Sequence, residues 1–182
     1  MRARARRLAI ALSLASAVVA LAACGTGESP GQSLPVASVE PSIGVSAAVL
    51  QTRIELVRVL GQYNLVLSDT QTPVRPAESP LLTAAPRAIY QVVLPKDPNR
   101  GFIVVYEFTD PSRAAEAAAQ QAAYLGTGPA RVQTPLGTVS IVRQVGSTVV
   151  LYDWLPEAAL DPSAAGIQTA LESLGIGFPV PN

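Results

Sequence analysis

Two acidic residues are the first candidates for chemistry, because each lies between two aromatic residues near the end of a predicted strand. If the fold brought these carboxylates together, they could share a proton, bind a cation or perform acid–base hydrolysis of a glycosidic bond. Strand alternation offers a simpler explanation, in which both point to solvent or pair with arginines across a sheet. We prefer it and assign no catalytic residue. The two triplets are Tyr106-Glu107-Phe108 and Tyr152-Asp153-Trp154.

Residue types that the sequence lacks narrow the chemistry further. It contains no histidine and one cysteine, Cys24. Histidine-based catalytic triads and histidine metal ligands are therefore excluded, and so are an intramolecular disulfide and a multi-cysteine metal site. Phosphate-binding glycine loops, Ser-x-x-Lys pairs and Asp-rich calcium loops do not occur in the sequence either. We expect no metal ion and no cofactor.

The aromatic residues beside the two acids could form a binding surface. An exposed aromatic patch on a sheet would mark a partner site, whereas aromatic residues more often belong to the core. A second candidate is the proline-rich segment over residues 70–86, because long irregular loops are commonly functional or disordered. The candidate ligand-binding residues are Tyr106, Glu107, Tyr152, Asp153 and Trp154.

The N-terminus has the organisation of an export signal. Four arginines lie among the first seven residues, residues 8–21 are apolar, and Leu-Ala-Ala precedes Cys24. This stretch resembles a bacterial lipoprotein signal peptide. The resemblance implies cleavage that removes residues 1–23, and attachment of a diacylglycerol to the Cys24 thiol, with acyl chains such as palmitate. An uncleaved spanning helix is a poorer explanation, because a span needs about 20 apolar residues.

The resemblance also implies a location and a partner. Lipid on Cys24 would hold the chain at the outer face of the bacterial cell membrane, or on the outer membrane if the organism has one. Cleavage leaves nine basic and 13 acidic residues, a formal charge of −4. Because the remaining basic residues are scattered, we expect no nucleic-acid partner. Residues 24–44 are rich in Gly, Ser and Pro, which predicts a tether.

Hydrophobic periodicity and turn residues place the elements of the remaining chain. Residues 45–182 are long enough for one hydrophobic core, so we predict a single domain. Four prolines between residues 68 and 86 argue against a regular element there. The sequence predicts helices over residues 46–62, 111–125 and 163–174, a short strand over 63–67, and hairpins of strands 88–94 with 101–108 and 138–145 with 148–154.

The order of these elements suggests a strand–strand–helix repeat that follows the first helix. Asp-Pro-Ser begins a helix at both Asp110 and Asp161, and Leu-Gly ends a helix at both Leu125 and Leu174. The matches are few and of common types, so chance stays an alternative. Either way we predict an α+β two-layer sandwich, in which an antiparallel sheet of four or five strands carries its helices on one face.

Three classes of function agree with these observations. The preferred one is a membrane-anchored extracytoplasmic lipoprotein of the cell envelope that acts as a binding or interaction module, with an envelope protein or a small molecule as its ligand. One alternative is a carboxylate-dependent hydrolase of the cell envelope. The other is a structural subunit of an envelope assembly.

Overall fold

The computed structural model describes residues 46–181. The predicted signal peptide, the lipidation site Cys24 and the tether all lie outside the described residues. Within residues 46–181, no helix is long and apolar enough to cross a membrane.

The described chain folds as α-helices and strands in an α+β arrangement. Both predicted hairpins and all three predicted helices are present, and each of their elements begins and ends within two residues of its predicted bounds. In chain order the elements are α1 (Ala47–Gly61), β1 (Leu67–Asp69), α2 (Pro80–Ala84), β2 (Arg87–Val92), β3 (Phe102–Glu107), α3 (Pro111–Leu125), α4 (Gly128–Gln133), β4 (Val139–Val145), β5 (Thr148–Trp154), a 3-10 helix (Pro156–Ala158), α5 (Ala164–Glu172) and β6 (Ile176–Phe178).

Six strands form one antiparallel open sheet in the order β1-β2-β3-β5-β4-β6. The prediction of four or five strands was too low because it left out β6. This strand pairs with β4 through only three residues. The first edge strand begins at Leu67, where the predicted strand ends. Both edge strands are three residues long, which limits pairing with another chain. Strands this short have too few residues to show alternation in the sequence.

Helices pack on both faces of the sheet, so the predicted two-layer sandwich with helices on one face is wrong. Helices α1 and α5 cover one face, where Ile103 and Val105 are buried. Helices α2, α3 and α4 cover the other, where Val104 and Tyr106 are buried. The reason is the run of apolar residues in β3 and β5, because consecutive residues point to opposite faces and each face needs a cover.

Alanine side chains determine how α3 meets the sheet. The helix begins at Pro111 after Asp110, whose Oδ1 accepts a hydrogen bond from the Arg113 backbone N at 2.9 Å. Its buried side chains follow the helical period, so the apolar stripe faces the sheet. These residues are Ala114, Ala117, Ala118, Gln121, Ala122 and Leu125.

The proline-rich segment contains a regular element that the sequence did not predict. Helix α2 begins at Pro80, in the first turn, where proline loses no hydrogen bond and its fixed φ suits a helix. The other prolines of this segment lie outside the helix. The position of each proline relative to the first helical turn, and not the number of prolines, therefore decides whether a helix forms here.

The strand–strand–helix order occurs twice, but its two copies are not related by a twofold axis. Strands β3 and β5 are antiparallel neighbours at the junction of the copies. A twofold axis that exchanges them must stand normal to the sheet, and it would leave both helices on one face. Helices α3 and α5 lie on opposite faces, and so do the matched residues Tyr106 and Tyr152.

A buried glutamine attaches the proline-rich segment to α3. The side chain of Gln121 is fully buried, and its Nε2 donates to the Ala77 carbonyl at 2.7 Å. Its Oε1 accepts from the Ser79 backbone N, also at 2.7 Å. These two bonds satisfy both backbone groups of an irregular segment that has no strand beside it. Glu78, between them, then accepts hydrogen bonds from Tyr106 Oη and Arg87.

We expect Gln121→Met to lower the free energy of unfolding by about 2–6 kcal/mol. Methionine has a similar length but leaves the Ala77 carbonyl and the Ser79 N–H buried without a partner, at about 1–3 kcal/mol each. The matched control is Gln120→Met, since Gln120 is exposed and accepts one bond from Leu81 N at 3.2 Å. Urea unfolding of both variants measures the difference. Equal losses for the two substitutions would contradict the role given to Gln121.

Candidate functional site

Tyr106, the first of the predicted ligand-binding residues, is a core residue. Its ring is fully buried on the α3 face of the sheet, and its hydroxyl donates to Glu78 Oε1 at 2.8 Å. Burial, reinforced by this hydrogen bond, raises the pKa of the Tyr106 hydroxyl well above its ordinary value. The Tyr106 side chain is therefore part of the hydrophobic core and is not accessible to a ligand.

The carboxylates of Glu107 and Asp153 do not meet. Glu107 pairs with Thr148 in the β3–β5 ladder, and Asp153 lies five residues further along β5. At about 3.3 Å per residue this separates them by roughly 16 Å along the strand. Alternation also places them on opposite faces of the sheet. Glu107 lines a different cavity, of about 490 Å³, together with Phe108 and Arg113.

Asp153 and Trp154 both border a cleft at the C-terminal end of β5, although alternation points Asp153 to the α3 face and Trp154 to the α1 and α5 face. Tyr152, which also borders the cleft, is a core residue like Tyr106. A first cavity of about 320 Å³ lies beside a second depression of about 480 Å³, and Asp153 and Trp154 line both. The walls come from four separate parts of the chain. Beside those three residues they include Val74, Arg75, Pro76, Leu94, Asp97, Arg100, Gln133, Thr138 and Leu155.

One side of the cleft is held by two carboxylates that join the β2–β3 turn to the connection after β5. Asp161 Oδ2 accepts from the Lys96 backbone N at 3.0 Å, and its Oδ1 accepts from Ser163 N at 2.9 Å. In return, Asp97 Oδ2 lies 3.4 Å from the Leu160 backbone N. The bond from Lys96, followed by that from Ser163, lowers the pKa of Asp161 below its ordinary value. Each of the two loops thus contributes a carboxylate that contacts a backbone N–H of the other loop.

The opposite side of the cleft belongs to the proline-rich segment, which the sequence had named as a second candidate. Val74 and Pro76 line the first cavity, and Arg75 and Pro76 line the second depression. Their position follows from Gln121, whose bonds to Ala77 and Ser79 fix the next residues along the chain. The sequence predicted an irregular segment, which holds for residues 70–79 but not for α2, and it did not predict that this segment would border the same cavities as Asp153.

Asp153 is the unusual group in this cleft. Its Oδ1 has no contact with solvent and accepts no hydrogen bond from any described residue. Burial raises the pKa of the carboxyl to about 6, and the side chain of Ser140, opposite it on β4, counters part of that rise. At neutral pH the cleft therefore contains a half-buried carboxylate, one oxygen of which is shielded from solvent.

Two arginines line the same depression without pairing with Asp153. Arg100 lies 3.5 Å from Asp97, a long distance for a charge-assisted bond. Arg75 is exposed, and within residues 46–181 no ion pair joins it to an acid. The sequence gave no signal for either arginine, because they belong to loops whose positions depend on distant contacts.

The indole of Trp154 borders the cleft, and a hydrogen bond to helix α5 fixes its position. Its Nε1 donates to Gln168 Oε1 of α5 at 3.1 Å. Tyr152 is buried on the α1 and α5 face, and burial raises the pKa of its hydroxyl. Trp154 is the single tryptophan of the sequence, so any change in tryptophan fluorescence reports on this cleft.

Metal binding and known families give no further guidance on the site. Among the described residues, no group of three or more acidic or cysteine side chains is placed to hold a metal ion. No protein-family model, curated protein or solved structure matches this chain.

We expect Asp153→Asn to stabilise the protein at pH 7.5 by about 1–3 kcal/mol. The folded state keeps a proton on Asp153 up to about pH 6, whereas the unfolded state releases it near 3.8. Wild-type stability should therefore fall, relative to the variant, as the pH rises from about 4 to 6. Urea unfolding across this range measures the difference between the two curves.

Glu157→Gln is the matched control, because Glu157 is an exposed acid outside the cleft. Its curve should run parallel to that of the wild type. A loss of stability in Asp153→Asn at pH 7.5 would show that the carboxylate has a favourable partner, and would contradict the description of this site.

Proposed function

We propose that this protein is a lipid-anchored binding module at the outer face of a bacterial membrane, and that the cleft at the end of β5 captures a small ligand. The anchor is a diacylglycerol on Cys24, which is supported by the lipoprotein-like signal sequence. A tether of about twenty residues, with a root-mean-square reach of about 25 Å, lets the folded part stand away from the headgroups.

The observation that carries the binding function is the buried Oδ1 of Asp153. A buried carboxylate whose charge is only partly compensated lowers stability, so such a group is uncommon away from functional sites. Here it lines a cavity of about 320 Å³, within the range of small-molecule sites, beside apolar and aromatic side chains. A ligand that brings a positive charge into this cavity would offset part of the cost of the buried carboxylate, and that gain would contribute to affinity.

The geometry supports binding over hydrolysis. The proposed glycosidic pair needs carboxylates about 5–10 Å apart, whereas Glu107 and Asp153 lie on opposite faces and about five residues apart along the ladder. The sequence also has no histidine to act as a general base. Asp153 is therefore better understood as a recognition group.

The test is to isolate the intact lipidated protein from its own membranes under mild conditions, denature it, and identify the small molecules released by mass spectrometry. We expect one molecule, in roughly stoichiometric amount, with the wild type. Asp153→Asn should lose most of it, because the neutral amide of this variant offers no charge to the ligand. Glu157→Gln should retain it.

Cys24→Ala tests the anchor in the same fractionation. This variant should leave the membrane fraction and lack the acylated N-terminal peptide, because the proposed lipid attaches to this thiol. Retention of Cys24→Ala at the membrane would contradict the anchor. The same released molecules from the wild type and from Asp153→Asn, or none from the wild type, would contradict the binding function.

A further inference from the structure

Helix α1 carries apolar side chains on two opposite sides. One side packs against the sheet and α5, and the other side faces solvent. On the solvent side Leu50, Ile54 and Val57 are 47%, 58% and 45% exposed. Their spacings of four and three residues place these side chains along one line of the helix, which we call the outer stripe. A surface helix usually presents polar residues to solvent, so the outer stripe needs a physical explanation.

The outer stripe is not a general feature of the helices in this chain. Helix α3 exposes Arg113, Glu116 and Gln120 on its solvent side. Within residues 46–181, neither α3 nor α5 exposes a large apolar side chain. Contiguous apolar patches on a surface commonly mark a contact with a protein or a membrane. The exposed stripe thus distinguishes α1 from the other long helices.

The charged residues beside the outer stripe already have partners. Consecutive helical residues lie about 100° apart, so Arg53 and Glu55 flank Ile54 on its two sides. Arg53 donates two hydrogen bonds to the Asp69 carboxylate, of 3.1 and 3.2 Å. Glu55 pairs with Arg58 at 2.9 Å. Contact of the stripe with an apolar medium therefore buries none of these charges without its partner.

We propose that the outer stripe lies on the surface of the membrane that holds the lipid anchor, with its three side chains at the boundary between headgroups and acyl chains. The partner is the lipid surface itself, and α1 lies parallel to it. This inference rests on the proposed function, because it uses the same anchor on Cys24 and adds the face of the folded part that turns toward the membrane.

The path of the chain brings α1 to the membrane before any other described element. Ser46 caps this helix, since its Oγ accepts a hydrogen bond from Val49 N at 3.2 Å. Residues 25–45 separate Ser46 from the proposed lipid on Cys24. A coil of this length has a root-mean-square reach of about 25 Å. The anchor therefore keeps the outer stripe at a high effective concentration near the bilayer, so a weak contact is sufficient.

The size of the outer stripe favours a bilayer over a second copy of the chain. The stripe runs from Leu50 to Val57, or about 12 Å of helix. A stable dimer buries about 800 Å² on each partner, with about 20–30 residues a side. Three half-exposed aliphatic side chains fall well short of this. A fluid bilayer needs no shape complementarity, and burial of aliphatic surface at its boundary is favourable in itself.

The experiment places a fluorescent probe on the outer stripe of the full-length lipidated protein. Ile54→Cys supplies a free thiol, because acylation blocks Cys24, the single cysteine of the sequence. This thiol is labelled with a nitrobenzoxadiazole dye, and the protein is inserted from outside into preformed phosphatidylcholine vesicles. Quenching is measured with iodide in the water and, separately, with nitroxide-labelled phosphatidylcholine in the bilayer. The matched control is Ala119→Cys with the same dye, since Ala119 is exposed on α3, at the other face of the sheet.

We expect nitroxide lipid to quench the Ile54→Cys probe several-fold more than the Ala119→Cys probe, and iodide to show the opposite order. In the Ile54→Cys background, Leu50→Gln together with Val57→Gln should lower nitroxide quenching and raise iodide quenching, because the apolar contacts with the bilayer are removed. Leu136→Gln in the same background is the control for this change. Leu136 is 99% exposed but lies in the turn between α4 and β4, so both kinds of quenching should stay unchanged.

Three results would overturn the membrane contact. The first is strong iodide quenching and weak nitroxide quenching of the Ile54→Cys probe. The second is protection from both quenchers, because a second copy or another segment of the chain then covers the stripe. The third is nitroxide quenching that Leu50→Gln and Val57→Gln leave unchanged, because the dye then inserts by itself.

The fractionation of Cys24→Ala separates this inference from the function on which it rests. If the membrane contact is overturned while Cys24→Ala leaves the membrane fraction, the anchor stands and only the membrane-facing surface is wrong. If the wild type lacks the acylated N-terminal peptide, the anchor fails and this inference fails with it. Release of a small molecule from the cleft tests the binding function independently of both.

Discussion

The pairing of β3 with β5 is the constraint on which the rest of the fold depends. Five residue pairs, from Ile103 with Tyr152 to Glu107 with Thr148, join the two hairpins at the centre of the sheet. The side chains of both strands are buried on both faces, so the sheet needs a helical cover on each side. The antiparallel direction also brings the turn before β3 next to the connection after β5, which is where the cleft forms.

The cleft combines favourable contacts in its walls with an unfavourable charge at its base. The bonds from Lys96 N to Asp161 and from Ala77 and Ser79 to Gln121 fix its walls independently of any ligand. Asp153, by contrast, keeps a raised pKa because nothing compensates its burial fully. A preorganised cavity with one poorly satisfied charge is suited to recognition, because ligand binding need not order the walls and improves the environment of the carboxylate.

Local signals in the sequence were sufficient for most of the elements. Helix α3 follows from Asp110 and Pro111, and the β4–β5 hairpin follows from the turn at Gly146-Ser147 between two apolar strands. The helices on both faces were missed, although the consecutive apolar residues of β3 contained that information. Of the three-residue edge strands, β6 was not predicted and β1 was predicted four residues too early, because pairing with a neighbour, not composition, makes them strands.

The candidate site could be predicted only in part. Glu107 and Asp153 have the same local pattern, an acid between two aromatics, yet only Asp153 reaches the cleft. Register decides between them, and register depends on long-range pairing that no local pattern contains. For the same reason Arg75 and Arg100 could not be identified, since the contacts of Gln121 and Asp97 place their loops.

The central claim is that Asp153 keeps a buried, poorly compensated carboxylate at the base of the cleft. The most direct measurement is an NMR titration of its side-chain carboxyl carbon, assigned by comparison with Asp153→Asn. The account predicts a pKa of about 6 in the protein without added ligand, and a lower value when a ligand occupies the cleft. A pKa near the ordinary 3.8 would show that the carboxylate is solvated or paired, and would contradict the account.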